Sequence, residues 1–155
     1  MIQTRSSLDE QLREPTPSRP QSFRPLISWG AAVGVTQAFS PIGFYWLKPD
    51  LVWAMSLVVI ASIYVGFAVA DGRTKVIAVE IGVASAFIAL AAIAIESSPW
   101  LVVAGLVGHG FKDLWQHRTH FVANTRWWPP FCLVVDFVAA SVIAVLLLTG
   151  VDLNG

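Results

Sequence analysis

Long apolar blocks alternate with short polar breaks along most of this chain. The blocks cover residues 27–47, 51–70, 76–95, 99–116 and 128–149. Each is close to the length an α-helix needs to cross about 30 Å of hydrocarbon. The breaks read LKPD, DGRTK, ESSP and HRTHFVANTR. Each carries charge, Pro or Gly, the chemistry that ends helices and makes turns. Connections this short force neighbouring helices to run antiparallel. In lipid, backbone N–H and C=O groups must be satisfied within the segment, which a helix achieves. None of the blocks shows the strict alternation of a barrel strand. The pattern predicts an all-α, polytopic bundle of five transmembrane helices. Gln37 and Pro41 interrupt the first block, and Pro41 is expected to kink it.

The segment ahead of the blocks reads differently. Residues 1–25 hold four prolines, four arginines and three acids, with few apolar side chains. A segment of that composition cannot bury enough surface to offset its ordering entropy, so it reads as a disordered cytoplasmic tail. It lacks the apolar core of a signal peptide. Residues 26–150 form the transmembrane domain on this reading, and 151–155 a short outer tail.

Composition sharpens the class. Of the residues, 55% are hydrophobic and 13% charged, and the formal net charge is zero. Soluble domains hold about 25% charged residues, so a soluble globule is excluded. Cys132 is the single cysteine, which excludes an intrachain disulfide. With no basic excess and no basic face, nucleic acid is not a partner. The partner implied is the lipid bilayer.

The few cations are sorted along the chain. If the N-terminus is cytoplasmic, Arg5, Arg13, Arg19, Arg24, Arg73, Lys75, Lys112, Arg118 and Arg126 fall on that side, and only Lys48 falls outside. Lysine and arginine favour the cytoplasmic face, so this bias predicts an N-in, C-out topology. All seven tryptophans fall near block ends, as an aromatic belt at the two interfaces requires. Two rows of small residues, Gly30-Gly34-Ala38 and Ala78-Gly82-Ala86, predict close helix packing.

Candidate chemistry comes from ionisable residues inside the blocks, which are costly in lipid and are functional candidates by default. Glu80 lies about one turn into the third block. His109, Asp113 and His117 are spaced i, i+4 and i+8 in the fourth, and Cys132 and Asp136 lie i and i+4 in the fifth. At 1.5 Å rise per residue, His109 and Asp136 lie about 10–12 Å from the ends of their adjoining antiparallel helices, so they should meet. Together these residues predict a cytoplasm-facing cavity lined by Glu80, His109, Asp113, His117, Cys132 and Asp136. Tyr64 is close enough in depth to reach it.

Imidazole beside carboxylate can move protons, the carboxylate fixing the tautomer. On that chemistry His109, Asp113, Asp136 and Glu80 are the candidate catalytic residues. The same donors suit a divalent metal, with His109, Asp113, His117 and Asp136 as ligands. Three histidines are too few for a di-iron oxygenase. A second haem-ligating histidine is missing from the other blocks, which disfavours haem.

The segment His109-Gly-Phe-Lys-Asp113-Leu-Trp-Gln-His117, followed by Trp128-Pro-Pro-Phe-Cys132 and Asp136, resembles a family of uncharacterised small bacterial multi-pass membrane proteins. Those carry a similar His-Gly, Asp, His segment followed by Pro-Pro, Cys and Asp. The resemblance covers the last hairpin. It implies a multi-pass protein of the bacterial inner (plasma) membrane and carries no activity with it. Three functions remain open. One is acid–base or metal-assisted chemistry on a lipidic or small apolar substrate. The others are a non-catalytic membrane partner subunit and a small transporter or proton-linked carrier.

Overall fold

The computed structural model describes residues 24–123, 125–151 and 153. Nearly all of the expected N-terminal tail, and most of the outer tail, lie outside the described residues. Among the described residues six helices form: α1 (Arg24–Ala38), α2 (Ser40–Gly43), α3 (Pro49–Asp71), α4 (Thr74–Glu96), α5 (Trp100–Thr119) and α6 (Trp128–Thr149). The described residues contain no strand.

Proline and glycine set the boundaries. Pro49 opens α3, and Pro129 and Pro130 lie in the first turn of α6, where a missing N–H leaves no helical bond unmade. Gly72 closes α3 in the left-handed region at φ 79°, and its N–H reaches the carbonyl of Ala68. His120 ends α5 in the same region at φ 50°.

The first apolar block departs from the expected single kinked span. Pro41 has no N–H to give the carbonyl of Gln37, so the helix of α1 cannot run on through it. The Ser40 hydroxyl donates to that carbonyl instead, at 2.7 Å. What remains of the block is the 15-residue α1, the four-residue α2 and a turn. At 1.5 Å per residue α1 reaches about 22 Å, short of a bilayer core.

Among the described residues three helices, α3, α4 and α6, are long and apolar enough to cross a membrane. α5 is 20 residues long, but Lys112, Asp113 and Arg118 dilute its apolar character.

α3 packs along α4, α5 along α6, and α1 along α6. The last contact depends on glycine. A Cβ at Gly34 would stand 2.7 Å from the Val135 carbonyl oxygen and 2.9 Å from Val138 Cβ, so the two backbones nearly touch. The second small-residue row behaves differently. Ala78, Gly82 and Ala86 are exposed on α4, and a Cβ at Gly82 would meet nothing.

One end of the bundle is an apolar core. Trp53, Ala54 and Leu57 of α3 meet Ala91 and Ala94 of α4, Val102 and Leu106 of α5, and Ala139, Ile143 and Leu146 of α6. Trp53 is buried there, its indole N–H donating to the carbonyl of Ala38 at 2.9 Å. Contrary to the belt expectation, this tryptophan is a core residue. Trp29, Trp46, Trp100, Trp115 and Trp127 are exposed.

Candidate functional site

The opposite end of the bundle buries a chain of polar side chains. It starts from one face of α5, where His109, Lys112, Asp113 and Gln116 follow the i, i+3, i+4, i+7 spacing that aligns residues on a helix. The neighbouring helices each add a partner. Tyr64 comes from the last third of α3, Glu80 from the start of α4, and Asp136 from the start of α6. These three segments sit at one level because the helices run antiparallel.

His109 is the centre. Its Nδ1 lies 2.8 Å from Asp136 Oδ2 and 3.5 Å from Asp113 Oδ2. None of the three side chains has accessible surface. Asp113 Oδ1 accepts a 2.5 Å hydrogen bond from the Tyr64 hydroxyl. Rings of Tyr64 and Phe87 flank the imidazole, with centroids 5.9 and 5.2 Å away. Three atoms of the group, His109 Nε2, Asp113 Oδ2 and Asp136 Oδ1, are buried without a hydrogen-bond partner, Asp113 Oδ2 keeping only its longer contact with the imidazole.

A second part adjoins it. Lys112 Nζ lies 2.8 Å from Glu80 Oε2 and 3.3 Å from the Tyr64 ring centroid, a cation–π position. The Gln116 amide donates to Glu80 Oε1, and its own carbonyl oxygen accepts the backbone N–H of Val122. Glu80 therefore pairs with Lys112 rather than with the histidine.

The connections at this end are tied to each other. Asp71 Oδ2 accepts the backbone N–H of Ala123, and Arg73 donates to the Phe121 carbonyl while pairing with Asp71. The hydrogen bonds that Arg73 donates to the Asp71 carboxylate raise the pKa of its guanidinium above its usual value.

The structure brings His109, Asp113 and Asp136 together, with one ligand-capable atom of each within 4.8 Å of the others. Glu80 and Cys132 are buried nearby but stand outside that group. His117 is not brought in. A helix turns about 100° per residue, so an i, i+8 step swings about 80° off the starting face while climbing about 12 Å. The ring of His117 lies instead beside the exposed His120, at 6.3 Å. Of the four expected metal ligands, His117 is the one that stands outside the group.

The expected open cavity also differs. Side chains with no accessible surface line no opening, so the group is closed. The bundle does carry a groove of 480 Å³, but at the apolar end, lined by residues including Gln37, Phe44, Val52, Met55 and Val59.

Sequence reasoning missed Gln116. Its signal was present, because it lies seven residues after His109 on the same face. No family model matches the chain, and no curated protein or solved structure matches it.

Proposed function

We propose that this chain is a five-span protein of the bacterial inner membrane, N-in and C-out, whose working centre is the buried His109 between Asp113 and Asp136. Its chemistry is acid–base or metal-assisted, on a lipidic or small apolar substrate. The observation that carries this reading is the burial. An imidazole and two carboxylates from two helices, with no accessible surface, are expensive to retain unless the group is used.

Five spans are supported by the nine-to-one cation bias and by the inward turn of the polar residues of α5. Hiding Lys112, Asp113 and Gln116 from the bilayer lets a helix of 20 residues cross despite its charges. In this reading the first span is made jointly by α1, α2 and the turn after them.

The hydrogen-bond pattern supports a base at His109. If no ion is held and Nδ1–H is donated to Asp136, the lone pair rests on Nε2, which is free of hydrogen bonds. The two carboxylates then stabilise the imidazolium once a proton arrives. Phe87 and Tyr64 form an apolar wall that suits a hydrocarbon substrate. Because the group is closed, substrate reaches Nε2 only when the surrounding helices part.

The test compares lipid and small-molecule profiles of a deletion strain carrying the wild-type gene or His109→Ala. The wild-type gene should restore the profile and the variant should not. Full restoration by His109→Ala, or a deletion with no changed profile, overturns the reading. Reporter fusions in each connection check topology independently. A C-terminal fusion active on the cytoplasmic side would remove the five-span arrangement.

A further inference from the structure

We infer that His109, Asp113 and Asp136 form a closed binding site for one divalent first-row transition ion. The inference rests on the reading that this group is the working centre, and it names what the group holds.

Charge balance points first to a cation. Lys112 and Glu80 neutralise each other at 2.8 Å. Asp113 and Asp136 have no such partner except His109. One imidazole faces two buried carboxylates, so the group is short of positive charge unless it takes up protons or a cation. A divalent ion supplies two positive charges.

The donor geometry makes the second point. One atom of each side chain falls within 4.8 Å of the others, a spread that small side-chain rotations bring to coordination distance of about 2.0–2.2 Å from a shared ion. Two carboxylate oxygens, Asp113 Oδ2 and Asp136 Oδ1, are fully buried with no hydrogen-bond partner. Oxygens in that condition call for a proton, a water or an ion, and the shortage of positive charge favours the ion.

The support around the donors is also that of a metal site. Tyr64 donates to Asp113 Oδ1, which fixes the carboxylate plane and leaves Oδ2 facing the histidine. Outer hydrogen bonds of this kind orient metal ligands. The donors are one nitrogen and carboxylate oxygens with no sulfur, since Cys132 stands outside the group. That set suits a borderline divalent ion such as zinc, iron(II) or manganese(II) rather than a soft monovalent one.

The test uses zinc and cobalt(II) on the full chain in lipid nanodiscs. Chelator-treated protein is loaded with zinc, dialysed, and its metal content measured by mass spectrometry. The wild type should retain one zinc ion per chain and melt at a higher temperature when loaded. His117→Ala/His120→Ala should retain the same amount, because those rings lie away from the group. His109→Ala should retain none. Cobalt loading, which needs no variant, should give the visible absorption of a low-coordinate nitrogen and oxygen site.

Loss of the ion in His117→Ala/His120→Ala, or a wild type that retains no zinc and gives no cobalt spectrum, overturns the inference. The latter result assigns the missing positive charge to protons on His109 and one carboxyl. The two readings fail separately. If the wild type holds no ion while His109→Ala still fails to restore the deletion profile, only the metal falls. If zinc binds and His109→Ala restores the profile, the working centre falls and the ion is structural.

Discussion

Trp53 and Tyr64 are both buried on α3, about three turns apart, yet the ends of the bundle they occupy are held together differently. Around Trp53 the core neighbours are alanine, valine, leucine and isoleucine, and the polar contacts are uncharged ones such as the indole bond to Ala38. Around Tyr64 the neighbours are Asp113, Lys112 and His109. Lipid tails are as apolar as leucine, so an apolar end gains from close fit and not from escaping water. A charged end gains from specific partners and loses heavily when one is missing. The comparison teaches that small residues specify the fit at one end, while identity of the charged groups specifies it at the other.

Substitutions can break that contrast. The largest effect is expected from Lys112→Met, which leaves Glu80 buried beside Gln116 alone. Removing one partner of a buried pair costs about 3–5 kcal/mol, and denaturant unfolding in mild detergent would read it. A loss near zero would mean that the pair with Glu80 contributes little and that the charged end does not depend on its specific partners.

Gly34→Ala comes next. Its Cβ would press on the Val135 carbonyl, and overpacking of this kind costs about 1–3 kcal/mol. Cysteine crosslinking between α1 and α6 should weaken with it, while zinc retention stays unchanged. If zinc is lost as well, the two ends are not independent.

The smallest effect belongs to Gln37→Leu. It removes the 3.1 Å bond to Ser56 beside the groove, and interhelical bonds in membrane proteins average about 0.6 kcal/mol. A loss several-fold larger would show that the apolar end depends on a polar contact after all.

The helical class was legible because apolar blocks of span length leave few alternatives. So was the meeting of His109 and Asp136, since equal depth on antiparallel neighbours brings residues level. The fate of the first block was not legible in full. Pro41 signals a disturbance, but whether a helix kinks or ends depends on what takes over the freed carbonyl, and here Ser40 does. His117 was misplaced because i, i+8 matches a stripe only loosely, and the drift of 3.6 residues per turn accumulates. Trp53 was assigned to an interface by its position near a block end. Its burial depends on Ala38 arriving from α1, which no local pattern contains.

The contact of α1 with α6 has a consequence for how the protein is made. Gly34 waits for Val138, about 100 residues later in the chain. A ribosome completes α1 well before its partner exists, so the glycine face of α1 spends that interval without the surface it packs against. Assembly of the bundle is therefore gated by the release of its last helix. A truncation before residue 128 would leave α1 unclamped and His109 without Asp136 in the same stroke.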